Sequence, residues 1–342
     1  MNARIAGLGR AVPERAFTQS ELYGHSPWAR SPLLDRLFLD SPVELRHLFV
    51  PPEWWRTPRT LTDTNAAWLA GAMELGGAAL LDALDVTGTR PDDVDLLAVT
   101  TVTGYATPGL DLLLARKHGL RDDLHRAHFN NLGCHAAVPL LRIAADHAAR
   151  RPGTRAVSLA VEVCSACFSP ESDDPHSQVA AALFADGAAA VVVSTDGDGP
   201  EILDFASGYD YDYIDALGFG LTTTGFRIIL DPVIAERIGA NITKVVERLL
   251  DRHGIRREQV STWCFHPGGS RILDAAQAGL GLDDAAMVQS RRILRSYGNM
   301  SSPSVIFVLA ESLAAGTPEK ESYGILAAFG PGLGIEVALL RF

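Results

Sequence analysis

Short apolar runs alternate with longer segments rich in alanine and leucine along most of the chain. Residues 95–100, 156–161 and 188–193 are short runs dominated by Val, Leu and Ala. Their length and composition predict buried strands. The longer segments around 65–83, 108–118 and 134–150 are typical of helices. Strands that alternate with helices in this way predict an α/β sheet.

The second half of the chain repeats the order of these elements, although the residues themselves barely repeat. The helix predicted to open at Cys134 has a counterpart in the apolar helix predicted to open at Asn299. The strand after Gly187 has a counterpart at residues 334–340. A duplication of this kind would bring the Cys134 and Asn299 helix N-termini face to face across a pseudo-twofold axis.

The predicted halves are residues 1–195, which carry Cys134, and residues 196–342, which carry His266 and Asn299. A Pro-, Gly- or Ser-rich linker is not evident between them. The two halves are therefore expected to pack together as one unit.

Composition narrows the class of protein. The chain has 342 residues, of which 47% are hydrophobic and 21% charged, and its net charge is −11. These values are typical of a globular protein with a large core. The acidic balance and the lack of a dense Lys/Arg cluster argue against a nucleic-acid partner. The start of the chain lacks a signal-peptide core, and no apolar run approaches the ~18 residues of a membrane helix. We therefore expect a cytoplasmic protein with no membrane partner.

Three segments supply a thiol, an imidazole and a carboxamide, the groups needed for acyl transfer through a thioester. They are the turn at Cys134, the His266-Pro267-Gly268-Gly269 sequence and the turn at Asn299. A cysteine at a helix N-terminus beside an imidazole is expected to have a lowered pKa and to act as a nucleophile. An imidazole and a carboxamide such as those of His266 and Asn299 are donors suited to bind an oxygen on which negative charge develops.

Each of these residues also has an ordinary structural interpretation. A lone cysteine in an Ala-rich segment is usually a small buried hydrophobe. A histidine beside a Pro-Gly-Gly turn is usually structural, and Asn299 could cap a helix. The combination of all three, in order, is what favours catalysis.

Further segments make that combination more specific. In order along the chain they are Pro108-Gly109, Cys134, and residues 182–189, 263–274, 298–302 and 329–333. Together they resemble the chalcone-synthase-like, or type III, polyketide synthases. The resemblance implies the thiolase fold, a five-layered αβαβα architecture with internal duplication. It also implies a homodimer that loads an acyl starter on Cys134 and extends it with malonyl-CoA units, followed by cyclisation to a pyrone, resorcinol or polyhydroxynaphthalene. Neither a cofactor nor a metal is expected, because decarboxylation of the extender drives the reaction.

The resemblance also implies residues for the substrate pocket. The Cys164-Ser165-Ala166-Cys167 segment could in principle hold zinc or form a redox pair, but a second ligand pair is not evident. Its two cysteines are instead expected to line the pocket. The remaining pocket positions implied by the family pattern are Leu203 and Phe226 as gatekeepers, and Ser301, Phe329, Gly330, Pro331 and Gly332.

Few basic residues occur where the family binds CoA. Arg36 is retained there, and Arg46 or Arg271 could compensate for the missing charges. The alternative is an acyl donor carried on a carrier protein.

Two other functions stay open at this point. A ketoacyl-synthase-III-like enzyme or an acyltransferase would use the same Cys-His-Asn set for one condensation or for none. A catalytically silent scaffold subunit is the non-enzyme alternative, because residues 135–138 (His-Ala-Ala-Val) depart from the family pattern after the nucleophile.

Overall fold

A computed structural model describes residues 2–168, 173–222, 225–316, 318 and 320–342. The strands in these residues are β1 (Arg4–Ala11), β2 (Ala16–Thr18), β3 (Leu45–His47), β4 (Val94–Thr100), β5 (His125–Phe129), β6 (Arg155–Val163), β7 (Asp186–Ser194), β8 (Glu201–Tyr209), β9 (Leu217–Thr222), β10 (Gly225–Leu230), β11 (Val260–Phe265), β12 (Tyr323–Gly330) and β13 (Gly334–Arg341). The helices are α1 (Gln19–Gly24), α2 (Pro32–Phe38), α3 (Leu61–Thr87), α4 (Leu110–His118), α5 (Ala137–Arg150), α6 (Pro175–Leu183), α7 (Ile234–Arg252), α8 (Ser270–Leu280), α9 (Val288–Tyr297) and α10 (Ser304–Ala314).

The strand topology shows the predicted duplication. The first half has the order β1-β7-β6-β4-β5 and the second half β8-β13-β12-β11. In the first half β1 pairs antiparallel with β7, β7 antiparallel with β6, and β6 parallel with β4. In the second half β8 pairs antiparallel with β13, β13 antiparallel with β12, and β12 parallel with β11. The halves join where Arg4 of β1 pairs with Glu201 of β8. The repeated topology changes over between β7 and β8, and the division at residue 195 stays a prediction.

The strands are buried on both faces, which explains why they read as continuous apolar runs. On β7, Ala189 and Val191 face one hydrophobic core, whereas Ala190 and Val192 face another. On β13, Ala338 and Leu340 face the first of these cores, whereas Val337 and Leu339 face a third core.

These three cores separate five layers. Helix α3 packs on the outer face of the first half, and α7 and α8 pack on the outer face of the second. Helices α5 and α10 lie between the halves and contact strands of both. This αβαβα arrangement is the predicted thiolase fold.

Helix α3 is the one helix in the described ranges that could cross a membrane by length and composition. Its most apolar window is 56% buried inside the protein. It contacts β1, β6 and β7, so it packs as a core helix.

Two predicted helix starts are wrong. Residues 133–135 form a 3₁₀ turn, and α5 begins at Ala137. Asn299 forms an isolated β-bridge with Phe184, and α10 begins five residues later at Ser304. The two turns nevertheless meet, because Ser301 reaches the Cys134 thiol across the middle layer.

Candidate active site

The turn that holds Cys134 depends on a glycine. Gly133 has φ +70°, a left-handed conformation that favours glycine. A Cβ atom there would lie 2.6 Å from Cδ of Pro331. The predicted Gly330-Pro331-Gly332 loop therefore packs directly on the turn of the nucleophile.

His135 faces away from the thiol. Its ring lies against the backbone of the β12–β13 hairpin, where a Cβ atom on Gly330 or Gly334 would approach it to 2.7 Å. Within the described part of the chain neither ring nitrogen has a hydrogen-bond partner. Burial lowers the pKa of His135 to about 4, so the ring is neutral.

Asn299 is fixed by both its backbone and its side chain. Its N–H donates to the Leu183 carbonyl over 2.9 Å, and its own carbonyl accepts from the Ala185 N–H over 2.8 Å. The side-chain oxygen accepts from the Ser301 N–H over 2.8 Å. The side-chain nitrogen donates to the Gly268 carbonyl over 3.3 Å.

His266 follows the end of β11, and its N–H donates to the Ala327 carbonyl over 2.8 Å. An added Cβ on Gly268 would lie 3.3–3.4 Å from the His266 ring. Gly268 therefore lies between the imidazole and the Asn299 carboxamide. Nδ1 of His266 is buried without a partner among the described residues. Burial, followed by the proximity of His135, lowers the pKa of His266 to about 3.

The Cys134 thiol accepts a hydrogen bond from the Ser301 hydroxyl over 3.3 Å. Burial raises the pKa of Cys134 to about 12; the Ser301 bond lowers it, and the nearby Glu162 carboxyl raises it. The structure does not favour the lowered thiol pKa expected from a helix N-terminus, because the thiol precedes the helix and is only partly exposed.

Glu162 is a residue that the sequence analysis missed. It is completely buried on β6. One carboxyl oxygen accepts from the Val102 N–H and the Thr103 hydroxyl, each over 2.9 Å, and the other accepts from the Ser302 hydroxyl over 2.8 Å. Burial raises the pKa of Glu162 to about 7. The signal was available, because a lone carboxylate in an apolar strand is costly without such donors.

A mostly apolar cavity, hereafter the active-site cavity, borders this cluster. Four of the predicted pocket residues line it: Cys164, Cys167, Phe226 and Ser301. Other residues in its lining are Trp28, Val102, Thr103, Phe168, Ser177, Ala180, Phe184, Phe219 and Ile228.

Two predicted pocket residues lie elsewhere. Leu203 on β8 packs in the core of the second half, since its side chain faces α7 and its neighbours. Phe329 on β12 is buried in the same core. Phe184 is an aromatic residue that lines the cavity and packs with Cys134 and Cys164.

A second depression, hereafter the mouth groove, carries exposed Arg36 and Arg271 together with Asp40 and Asp231. It extends inward to Gly268, the residue between His266 and Asn299.

Arg46 is not part of the mouth groove, contrary to expectation. It is fully buried, and it donates to the backbone carbonyls of Ala181 and Phe184 and to the Gln19 side chain. Burial lowers the pKa of Arg46 to about 9. Its position indicates a structural role in holding the segment before β7.

In the described residues, groups of three or more His, Cys, Asp or Glu side chains placed to hold a metal ion do not occur.

Comparison with known proteins gives consistent matches over nearly the whole chain. The family model "Chalcone and stilbene synthases, N-terminal domain" matches residues 55–197, and the corresponding C-terminal domain matches residues 213–342. The chain is 35% identical to the 1,3,6,8-tetrahydroxynaphthalene synthase of Streptomyces peucetius subsp. caesius, covering 99% of this chain and 93% of the relative. It is 33% identical to the 3,5-dihydroxyphenylacetyl-CoA synthase of Amycolatopsis orientalis, with the same coverage.

Solved structures agree with this result. The 1,3,6,8-tetrahydroxynaphthalene synthase from Streptomyces coelicolor A3(2) matches with a TM-score of 0.94 and 27% identity, covering 99% of both chains. PKS-I from the brown alga Ectocarpus siliculosus matches with a TM-score of 0.93 and 28% identity, covering 99% of this chain and 98% of the other.

Proposed function

Because the chain belongs to the chalcone and stilbene synthase family and is a type III polyketide synthase, we propose that Cys134 carries the acyl chain while malonyl units extend it. The observation that supports this role is the contact between the halves at the Cys134 thiol, with His266 and Asn299 close together in the second half. Ser301 bonds to the Cys134 thiol, and Asn299 and His266 meet at Gly268.

In the loading step, His266 acts as a general base. The imidazole starts neutral and the thiol protonated, and the proton passes from Sγ to the ring as Sγ attacks the starter thioester. The leaving thiolate of the donor takes that proton from the imidazolium. The result is an acyl thioester on Cys134 and a free thiol on the donor.

In the extension step, the malonyl thioester loses carbon dioxide, and the electron pair of the broken C–C bond moves toward the thioester oxygen. The Asn299 carboxamide and the neutral His266 ring each offer an N–H to that enolate oxygen. Removal of one such donor typically lowers kcat by about 10²–10³-fold. The enolate carbon then attacks the acyl group, and Cys134 leaves as a thiolate.

The active-site cavity supports cyclisation of the product inside the protein. Its apolar wall includes Phe184 and Phe226, which suit an acyl chain that becomes aromatic. We propose a pyrone, resorcinol or polyhydroxynaphthalene product. The name of the Streptomyces peucetius relative supports the last of these.

The mouth groove is the proposed site of the acyl donor. Arg36 and Arg271 are exposed at a groove that reaches Gly268, so they are placed to bind phosphate groups of acyl-CoA and malonyl-CoA or of a carrier-bound donor.

A homodimer in the cytoplasm completes the proposal. Strands β11 and β5 are the two edges of the nine-stranded sheet, and an open edge is a template for pairing with another chain. The four cysteines are free thiols, which suits a reducing compartment. Light scattering should give twice the chain mass of 36.6 kDa.

The deciding experiment is mass spectrometry after incubation with malonyl-CoA, with and without a panel of starter acyl-CoAs. We expect products that contain several malonyl-derived units, and none from the Cys134→Ala protein. Acylated Cys134 without malonyl consumption would instead indicate an acyltransferase, and a single addition would indicate a ketoacyl-synthase-like enzyme. Absence of acylation would favour the scaffold interpretation.

A further inference from the structure

The hydroxyl and thiol groups around the active-site cavity are largely engaged within the protein. Thr103 donates to Glu162 over 2.9 Å, and Ser177 donates to Asp174 over 2.8 Å. Ser301 donates to Cys134 over 3.3 Å, and the Cys167 thiol donates to the Thr103 carbonyl over 3.2 Å. A chain that carries several keto oxygens, all of them acceptors, therefore meets few available donors there.

Trp28 is the exception among the described side chains that line the cavity with a nitrogen or oxygen donor. Its ring lines the cavity, and among the described residues its buried indole N–H has no acceptor. A buried N–H without a partner costs about 1–3 kcal/mol, and a bound acceptor would remove this cost.

The position of the Trp28 ring is set by its surroundings. It packs with the cluster formed by α1, α2 and Trp55. It also lines a small side chamber beside the active-site cavity. Phe168 borders both spaces as well, and it makes an edge contact with Trp55 at 5.2 Å between ring centroids. The Trp55 indole N–H in turn donates to the Ser165 carbonyl over 3.2 Å. The wall that carries Trp28 is thus preorganised.

We propose that Trp28 is a substrate-positioning residue whose indole N–H donates a hydrogen bond to a keto oxygen of the growing poly-β-ketoacyl chain. This inference rests on the proposed function and names the form of the substrate that the cavity wall recognises. A keto group held in this way fixes one bend of the chain. It would thereby favour one ring closure over early release as a shorter product.

The test compares ligands that differ only in the keto oxygen. Binding of acetoacetyl-CoA and butyryl-CoA, and of 3-oxooctanoyl-CoA and octanoyl-CoA, is measured by calorimetry on the Cys134→Ala protein, which cannot be acylated at that position. With Trp28 present, we expect the 3-oxo ligand of at least one pair to bind more tightly than the ligand of the same chain length that lacks the keto oxygen. Trp28→Phe should reduce that preference by about tenfold, the size expected for one hydrogen bond.

Trp54→Phe is the matched control, because the Trp54 indole N–H is also buried and unpaired among the described residues but lines neither space. The Trp54→Phe protein should still bind the 3-oxo ligand more tightly than its partner without the keto oxygen. The proposal is overturned if Trp28→Phe keeps this preference too, or if the protein with Trp28 shows no preference in either pair. Failure of all four ligands to bind would contradict the acyl-CoA site itself.

In the active enzyme, Trp28→Phe should raise the ratio of shorter to longer products by a larger factor than it changes the rate of Cys134 loading. If Trp28 had a merely structural role, Trp28→Phe would lower total product formation and Cys134 loading together. If the wild-type enzyme makes no polyketide, the proposed function fails, whereas the binding comparison still decides the role of Trp28.

Discussion

Ser301 and Glu162 act on the same thiol in opposite directions. The Ser301 hydroxyl donates to Cys134, which favours the thiolate, whereas the buried Glu162 carboxylate disfavours it. Ser301→Ala should therefore slow alkylation of Cys134 by iodoacetamide at pH 8.5, and Glu162→Gln should accelerate it. A change of about fivefold in each direction corresponds to one hydrogen bond or one partly screened charge.

The measurement is the alkylation rate of the Cys134 peptide by mass spectrometry across a range of pH. In the wild type the rate should rise through pH 9 without reaching a plateau, because burial raises the pKa of the thiol to about 12. Alkylation rates that change in the same direction in the two variants, or a plateau near neutral pH in the wild type, would contradict this account of the thiol.

Glu162 should also make stability depend on pH. Its pKa rises from 4.5 to about 7 on folding. Between these values the unfolded chain binds fewer protons than the folded one, so the free energy of unfolding falls as pH rises. For this fully buried group the loss is about 3 kcal/mol, complete above pH 7. Glu162→Gln should remove this part of the decline.

Urea unfolding at pH 5 and pH 8 provides the comparison. The wild type and the variant share every other titrating group, including Asp186, whose pKa burial also raises, to about 6. The difference between their two pH responses therefore isolates Glu162. An unchanged pH response in the variant would show that Glu162 keeps an ordinary pKa.

At the scale of elements, the turn before α5 is the most constrained part of the site. Gly133→Ala would add a Cβ at φ +70° and 2.6 Å from Pro331, so both backbone strain and a clash oppose it. Gly88→Ala at the end of α3 has a similar φ of +61° with open space around it. We expect Gly88→Ala to cost about 1 kcal/mol and Gly133→Ala to cost more, with loss of activity.

Chemical denaturation and loading of Cys134 with an acyl-CoA measure these two effects. Gly88→Ala serves as the control for strain alone, and its loading rate should remain that of the wild type. Equal stability of the two variants would mean that the Gly330-Pro331-Gly332 loop moves aside freely.

Elements that are buried on both faces could be predicted from the sequence. The apolar runs that became β4, β6 and β7 lie between two cores, so their pattern is strong. The start of α10 could not be predicted in this way. The apolar residues 305–309 marked the helix, but the preceding residues form a turn in which Ser301 has φ +59° and Asn299 pairs with Phe184.

The same limit applies to side chains. Cys134, His266 and Asn299 were predicted from short motifs, and the structure brings their turns together. Leu203 was implied by the family pattern and Arg46 was chosen for its charge, and neither criterion shows which side chains face a core. Phe184 borders the nucleophile because it forms a bridge to Asn299, a residue 115 positions later in the chain.

At the scale of the whole molecule, the mouth groove draws on both halves. Arg36 lies on α2 in the first half, and Arg271 lies on α8 in the second. Both are exposed, and neither has an ion-pair partner within 4.0 Å among the described residues. On a chain with a net charge of −11, which repels anionic substrates at long range, these two guanidinium groups supply the positive charge of a groove that also carries Asp40 and Asp231.

Arg36→Ala and Arg271→Ala should therefore each raise KM for malonyl-CoA by about threefold to fivefold and leave kcat nearly unchanged, because exposed phosphate contacts contribute modestly to binding. Arg116→Ala is the matched control, since Arg116 is an exposed arginine on α4 that lies outside the groove. The effect of the two groove variants should shrink as salt is raised, because added ions screen the attraction in the wild type.

If all three variants behave alike, the donor's phosphates do not bind at this groove. If KM is unchanged for malonyl-CoA but raised for a carrier-bound malonyl donor, the groove recognises a carrier protein instead, and the physiological donor is of that kind.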